Sequence, residues 1–534
     1  MRGFHSKRFS AERSGAGVGA YRKKLREICR YETELASARI MLSLFFVVAT
    51  LVLGQQLAYR SYPGLLNEVA SKPIVATGLK RPDIYAYGLF YWGLFPVYSV
   101  HEQNLDDPAK YDQDFARRLL VEHGETLRVE HEHEIRFGEH FKYFLPYLEA
   151  QFAGRPAGTS LKTVNAVCFV AAVLLLFLNL CLCDRPVLGF FAALFIASSG
   201  FQAREVLRSE NFSYVITSAV LILAVTCPLL LDRQLRTSAI LWRLLAAAAI
   251  VAAAANVRTT AIAMGVAPVF ALLLYERRRM VKRALLVLCY GAFLYGWLSA
   301  ATAFVDHKLS QANDFVEAVG GIPYEGERTA LHPLWHPIYL GLADFDAKHG
   351  IRWQDNFGFQ AARTKLEELS ALGEEEGSLA GRTGGRYERM ETSPLYASLL
   401  RRIVLDMVRE DPGWYLNILG DRIQRIFRDW EPPTLDLLFS RVEPWRSIWT
   451  HLCFLLAFLA LGMFSELKLI LASLPTILVA LLVTTMTNAH FYLIAHLLSA
   501  AVISAAIVSA GVYLIALAGR RIRTGGASQE PARA

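Results

Sequence analysis

The chain has 534 residues, 54% hydrophobic and 19% charged, with 56 Lys and Arg against 48 Asp and Glu for a formal net charge of +8. The apolar residues gather in runs of about 20, the length of a membrane-spanning helix, which excludes a disordered chain and a single soluble domain. The basic excess flanks those runs, so the positive-inside rule accounts for it and no nucleic-acid partner is expected.

Residues 1–38 form a basic segment in which Arg22, Lys23, Lys24, Arg26 and Arg30 crowd the approach to the first apolar run. This predicts a cytoplasmic N-terminus beside anionic lipid headgroups. The first run, 39–58, follows a long polar segment and lacks a small-residue cleavage pattern, so it is expected to remain as a signal anchor. Residues 59–162 are then expected outside the membrane, with the aromatic stretch 85–98 suited to the interface.

Helices two to seven are predicted within 163–304. Helices two and three, 163–183 and 187–203, are separated by Asp184, Arg185 and Pro186, which predicts a tight hairpin on the inside. The turn 204–210 then faces outside. Helix four ends near Leu231, and Arg233, Arg236 and Arg243 are placed in the next inside loop. The apolar stretch 244–275 holds helices five and six, interrupted by Asn256, Val257, Arg258 and Thr259. Each half is short, so this polar turn is expected in a cavity below the membrane surface, where an Arg costs about 2.5–3.5 kcal/mol unless it is partnered. Arg277, Arg278, Arg279, Lys282 and Arg283 are the strongest inside marker, and helix seven follows at 284–304.

Residues 305–446 form a second large outside region. It is expected to hold an amphipathic helix at 357–372, a Gly-, Glu- and Arg-rich loop at 373–391, and helices over 395–427 broken at Asp411, Pro412 and Gly413. Helices eight to ten, 447–464, 467–486 and 491–518, fill 447–518, and the tail 519–534 returns inside with Arg520, Arg521 and Arg523. The predicted fold class is therefore an all-α polytopic membrane protein of about ten transmembrane helices with two large extracytoplasmic loop regions. Both termini are cytoplasmic, and the location is the plasma or inner membrane. The seven cysteines lie in apolar runs or inside segments, which gives no disulfide framework, and Cys181 and Cys183 lack a second pair of zinc ligands.

The outside ends of the helices carry the polar groups that chemistry needs. Asp83, Glu102, Asp106 and Asp107 follow helix one; Arg204, Glu205, Arg208 and Glu210 follow helix three; Asn256 and Arg258 follow helix five; His490 lies between the last two helices. On a helix Arg204 and Arg208 share a stripe, as do Glu205 and Ser209; helix-capping ion pairs are the alternative account of this set. The inside loops carry cations with few carboxylates, so an outward-facing cavity is expected.

This pattern resembles the GT-C superfamily of polytopic membrane glycosyltransferases, which take sugars from polyprenyl-phosphate donors on the outer face of the membrane. The resemblance rests on an Arg followed by Ser209 and Glu210 entering an apolar helix, on the acid-rich first loop, and on the turn at Asn256, Val257 and Arg258. It rests further on the long region 305–446 and on Asp411, Pro412, Gly413, Trp414 and Tyr415 ahead of the late helices. It covers most of the chain by architecture. The chain departs from many relatives in lacking an acidic pair just after helix one, and in carrying His490 where an Arg-Tyr pair is common.

The resemblance implies an inverting transfer of a sugar from a lipid-linked donor to a glycan or lipid acceptor, within cell-envelope glycan biosynthesis. Asp83 is the first choice for the base that takes the acceptor proton, with Glu102, Asp106 and Asp107 as the other candidates. Arg204, Arg208 and Arg258, with His490 if protonated, would hold the leaving phosphate, and Glu205 and Glu210 would bind substrate or orient an Arg. The other function classes weighed are a flippase or transporter, and a polymerase or ligase, of lipid-linked glycans.

Two histidine pairs remain. His332 and His336 are spaced as helical metal ligands, but Pro333 and Pro337 disfavour helix there. A rigid wall over the cavity built from His332, Trp335, His336 and Tyr339 is expected instead. His131 and His133, with His140 nearby, alternate with glutamates as on a solvated strand face. No metal ligands are assigned, and a divalent-metal requirement stays open.

Overall fold

The computed structural model describes residues 162–197, 213–231, 235–257, 259–274, 280–318, 334–346, 348–371, 395–428, 435–437, 440–442 and 464–473, with isolated positions elsewhere. The described residues are helical apart from a short hairpin of β1 (Leu435–Leu437) and β2 (Ser440–Val442). Their two large hydrophobic cores lie one in a bundle of apolar helices and one in an extramembrane unit, and a smaller cluster joins Val164 to Val257.

The bundle begins with α1 (Lys162–Leu182) and α2 (Pro186–Ala197), joined by the hairpin expected from the sequence. The turn is a helix-terminating motif. The Arg185 N–H donates to the Leu180 carbonyl and the Asp184 N–H to the Cys181 carbonyl, at 2.9 and 3.0 Å, and Asp184 sits in the left-handed region with φ of 59°. Gly usually fills that position, and Asp is among the few side chains that tolerate it. Asp184→Val is expected to cost about 1–2 kcal/mol while Asp184→Gly costs nothing, as read by thermal unfolding in one detergent; equal losses would show that the turn does not set the conformation. The helices then approach closely at Gly189, where a Cβ would stand 3.0 Å from the Leu180 Cβ.

Of two further helices, α3 (Ser213–Leu231) and α4 (Thr237–Val257), α3 packs on α1 of this hairpin and α4 packs on α3. α3 ends where the sequence predicts. Pro228 lies inside it and lacks the N–H that would bond the Ala224 carbonyl; the Cys227 thiol donates there instead, at 3.3 Å. α4 starts seven residues before the predicted 244, so Arg243 lies within a helix and not in a loop. Its Nη1 donates to Asn179 Oδ1 at 3.0 Å and to the Val225 carbonyl at 3.3 Å. A long cationic side chain partnered in this way is tolerated at the end of an apolar helix. The alanines of α4 bring its backbone close to its neighbours, which is how helices associate when lipid removes the hydrophobic drive.

At 21 residues α4 is itself long enough to cross a membrane, longer than the short half expected from the sequence. The return leg is the short one. It runs as a 3-10 helix over Thr259–Gly265 and then as α5 (Val266–Leu273), about 26 Å in all at about 2.0 and 1.5 Å per residue. Pro268 cannot donate to the Met264 carbonyl, which explains why α-helix begins only at this point.

α6 (Met280–Ala318) has 39 residues, about 58 Å, where the sequence predicts only 284–304. Its apolar span is Met280–Phe304, and a polar continuation carries it some four turns further. Among the described residues three helices, Thr163–Leu182, Thr237–Val257 and Met280–Phe304, are long and apolar enough to cross a membrane, and α2 and most of α3 are shorter apolar helices. α11 (Phe464–Ser473) packs on α3 and α5. Predicted helices one and ten, most of eight and nine, and both termini lie outside the described residues.

The extramembrane unit is built from α7 (Trp335–Gly341) with a 3-10 turn at Leu342–Asp344, α8 (Asp355–Ala371), α9 (Tyr396–Glu410) and α10 (Pro412–Arg428). The amphipathic helix expected at 357–372 is α8, and the break expected at Asp411 separates α9 from α10. Leu340, Ala362, Tyr396, Leu399, Leu400 and Ile418 are among the side chains that close its core.

Candidate functional site

The two ends of the bundle are chemically distinct. At one end Arg243 ties together α1, α3 and α4 through Asn179 and Val225, and the Arg283 Nη1 donates to the Leu273 carbonyl at 2.9 Å where α5 meets α6. At the other end Val164, which opens α1, packs with Val257, which closes α4. The α1–α2 turn lies at the arginine-tied end, because Gly189 abuts Leu180 and Phe177. The chain therefore leaves α2 after Ala197 and enters α3 at Ser213 toward the end that also holds Val257 and Thr259. The segment bearing Arg204, Glu205, Arg208 and Glu210, and the position of Arg258, are thus bracketed by described residues that gather at a single end.

Those five residues lie outside the described residues, as do Asp83, Glu102, Asp106, Asp107, His332 and His490. Asn256, beside Arg258, is half-buried and donates its amide to the Ala252 carbonyl at 2.9 Å, finishing its own helix. Among the described residues no group of three or more His, Cys, Asp or Glu is placed to hold a metal ion.

The cavity wall expected from Trp335, His336 and Tyr339 differs from what the structure places there. Trp335 is half-buried, and His336 and Tyr339 are buried in the core of the extramembrane unit. His336 lies within α7 despite Pro337, because Pro337 occupies the first turn, where its missing N–H would have no intrahelical acceptor. Three helices hold the imidazole. Nδ1 is hydrogen-bonded to the Tyr396 hydroxyl from α9, and Nε2 lies 3.2 Å from Asp355 Oδ1 at the start of α8. Phe359 stacks on the ring with centroids 5.7 Å apart. With the imidazole neutral, Nε2–H donates to Asp355 and the Tyr396 hydroxyl donates to Nδ1.

This Asp–His–Tyr line looks like a proton relay, but His336 is 3% and Tyr396 1% exposed, and only the Asp355 side chain, 59% exposed, reaches solvent. No reactant of sugar size meets the two buried groups, so the line serves as a tie between helices. Gly358 completes it: a Cβ there would lie 2.7 Å from the Tyr396 hydroxyl and 3.2 Å from His336 Nδ1. Sequence reasoning missed Asp355, Gly358 and Tyr396. Nothing local marks a partner 60 residues away in the chain. It also missed Arg422, which did carry a signal. It stands four residues after Ile418 on the apolar stripe of α10, and is 1% exposed, donating to the carbonyl of Gly341 at the C-terminal end of α7. A cation there complements the helix dipole.

The segment between α7 and α8 is fastened to the start of α10. Asp346 accepts backbone N–H bonds from Lys348, His349 and Ile351 at 2.9, 2.7 and 2.7 Å. Lys348 Nζ meets Asp411 Oδ2 at 2.8 Å, while Asp411 Oδ1 accepts from the Trp414 N–H at 2.9 Å and so caps α10. Pro412 and Gly413 follow in the first turn, so the segment running from Asp411 to Tyr415 is a capped helix start. Burial pushes the Tyr339 hydroxyl upward, with the Asp346 carboxylate adding to it, so it stays a neutral phenol.

The Lys348 ammonium and the Trp414 N–H hold the Asp411 carboxyl below its ordinary value. For Asp346, burial pushes upward but the three N–H donors outweigh it and the net shift is also downward. A depressed carboxyl stabilises the fold above its unfolded value of 3.8 and loses that contribution as the pH falls through its folded value. The stability gap between the wild type and Asp411→Asn is expected to be full at about pH 5 and to close in stronger acid. Thermal melts across that range check it, and a gap that widens in acid would contradict it.

A comparison with family models, curated proteins and solved structures finds no match to this chain.

Proposed function

We propose that this protein is a membrane glycosyltransferase of GT-C type that moves a sugar from a polyprenyl-phosphate donor to a lipid or glycan acceptor at the outer face of the membrane. The observation that supports the proposal is the direction of the chain: α2 leads away from the arginine-tied end before the Arg204–Glu210 segment, α3 begins beside the 3-10 leg that follows Arg258, and Val257 packs with Val164 at that same end. The opposite end holds Arg243 and Arg283, cations of the inside-facing set. In the proposed transfer the acceptor hydroxyl oxygen bonds to the anomeric carbon as the bond from that carbon to the phosphate oxygen breaks. A carboxylate, Asp83 first among the four candidates, takes the hydroxyl proton. Arg204, Arg208 and Arg258 offset the charge on the departing phosphate, with His490 adding to them when protonated.

The proposal is tested with purified full-length protein in lipid vesicles, given a panel of polyprenyl-phosphate sugars and a glycolipid extract as acceptor. Release of polyprenyl phosphate together with a new glycosylated product is expected from one donor. No release from any donor, with donor crossing the vesicle bilayer instead, favours the second reading, an exporter of lipid-linked glycans. The interrupted return leg, a 3-10 helix followed by α5, is the observation on the side of that reading, since transporters place broken helices at their binding sites.

A further inference from the structure

The proposed transfer gives no role to Asn256, a polar residue two positions before Arg258. It stands in the last turn of α4, at the end of the bundle opposite the arginine ties. That turn is held between helices. Val257 is buried against Val164 of α1, and Asn165, next to Val164, is buried completely. Asn256 itself is half-buried, and its Nδ2 donates to the Ala252 carbonyl at 2.9 Å. A carbonyl only accepts, so the carboxamide must turn its nitrogen toward Ala252, and this settles which of its two terminal atoms is the oxygen. Oδ1 is then fixed on the other branch as an acceptor. Asn256 makes no second hydrogen bond to the described residues.

We propose that Asn256 binds the sugar of the lipid-linked donor, its Oδ1 accepting a hydrogen bond from a ring hydroxyl while Arg258 meets the phosphate. This role rests on the proposed transfer. Two residues of chain separate the Cα atoms of Asn256 and Arg258 by at most about 7 Å. That is the scale on which the phosphate of a sugar 1-phosphate stands from the hydroxyls of its own ring, so neighbouring residues can hold both parts of one donor.

The bond to Ala252 already fixes the side chain, so little rotamer freedom is lost when a hydroxyl arrives. An acceptor oxygen fixed in this way also discriminates. A donor whose ring lacks the hydroxyl, or carries it in the other configuration, leaves Oδ1 without its partner and binds less well. Asn256 is therefore a residue of sugar selection, distinct from the carboxylate that takes the acceptor proton and from the cations that hold the phosphate.

The test measures binding and not turnover, with purified full-length protein in lipid nanodiscs. The probes are undecaprenyl phosphate alone and undecaprenyl-phosphate glucose, mannose, galactose and arabinose. The wild type should bind one of the sugar lipids more tightly than the bare lipid. Asn256→Ala should lower that affinity about 3- to 10-fold, the range of one hydrogen bond, and leave the bare lipid unchanged. Asn256→Asp keeps an acceptor oxygen but cannot donate to Ala252. Its charge weakens every lipid phosphate alike, so the preference for the sugar should survive. A residue that only ends α4 would fail with Asp and Ala alike and would not separate sugar lipid from bare lipid. No sugar preference in the wild type, or the same preference in Asn256→Ala, would overturn the assignment. Failure to bind even the bare lipid would instead sink the proposed transfer, and the assignment with it. A wild-type measurement decides whatever the folding of the variants: a preferred donor with a photoreactive diazirine on its ring should label residues 252–257, and label confined to other parts of the chain would overturn the proposal.

Discussion

Gly358→Val is expected to destabilise the extramembrane unit by about 2–4 kcal/mol, from overpacking of about 1–3 kcal/mol and loss of a buried hydrogen bond of about 0.5–1.5 kcal/mol. The cause is geometric. The Cα of Gly358 faces the point where His336 meets Tyr396, and an added Cβ would approach the Tyr396 hydroxyl to 2.7 Å and His336 Nδ1 to 3.2 Å. The Tyr396 hydroxyl cannot retreat without leaving Nδ1 unpaired, and His336 cannot turn without losing Asp355 and the stack on Phe359. Gly358→Ala should show the same sign with a smaller size. Combining it with Tyr396→Phe removes the atom that the Cβ strikes, so the double variant should be more stable than the sum of the two single losses predicts. Hydrogen exchange in α7, α8 and α9 reads the effect. Unchanged protection in Gly358→Val would mean that the three helices do not meet at this point.

Asp83→Asn is expected to lower the rate of sugar transfer by about 10²–10⁴ while leaving the protein inserted and folded, the range by which a positioned general base accelerates a reaction. Asn keeps the size of the side chain and removes its capacity to take a proton. Donor binding, which the proposal gives to arginines, should survive, so KM for the donor should hold while kcat falls. An Arg208→Ala variant should instead weaken the hold on the lipid phosphate. If Asp83→Asn transfers at the wild-type rate and Glu102→Gln, Asp106→Asn or Asp107→Asn does not, the base is reassigned within the same proposal. If all four retain full activity, no carboxylate of the first loop takes the proton.

Much of the bundle was legible because helix ends announce themselves chemically. The three polar residues between two apolar runs gave the α1–α2 hairpin, and the end of α3 fell at Leu231 as predicted. α8 was readable from its apolar stripe, and the division of α9 from α10 from Asp411 and Pro412. The departures have a common origin in side-chain reach and in polar helix. Arg243 read as loop because it is charged, yet its stem crosses to Asn179 and lets α4 begin earlier. The four turns of α6 beyond Phe304 are polar, and hydropathy is silent on helix that leaves the bilayer.

The extramembrane unit was harder. Pro333 and Pro337 argued against helix at His336, but a first-turn proline does not break one. His336 and Tyr339 then read as a wall for sugar, whereas Tyr396, Asp355 and Gly358 draw that stretch into a core. The candidate acids and phosphate-binding cations remain readings of the sequence, and what the structure adds is the placing of their neighbours: Ala197, Ser213, Val257 and Thr259 bound the segments that carry five of them.

The central claim is that this chain transfers a sugar from a lipid phosphate. Mass spectrometry of surface glycans and glycolipids, from cells with and without the protein, tests it most directly, with Asp83→Asn and Glu210→Gln copies as complementing variants. The account predicts the loss of one defined sugar with build-up of the acceptor that lacks it, restored by the wild type and not by Asp83→Asn. A normal glycan structure, with lipid-linked precursor held on the inner face, would contradict it and identify the protein as an exporter.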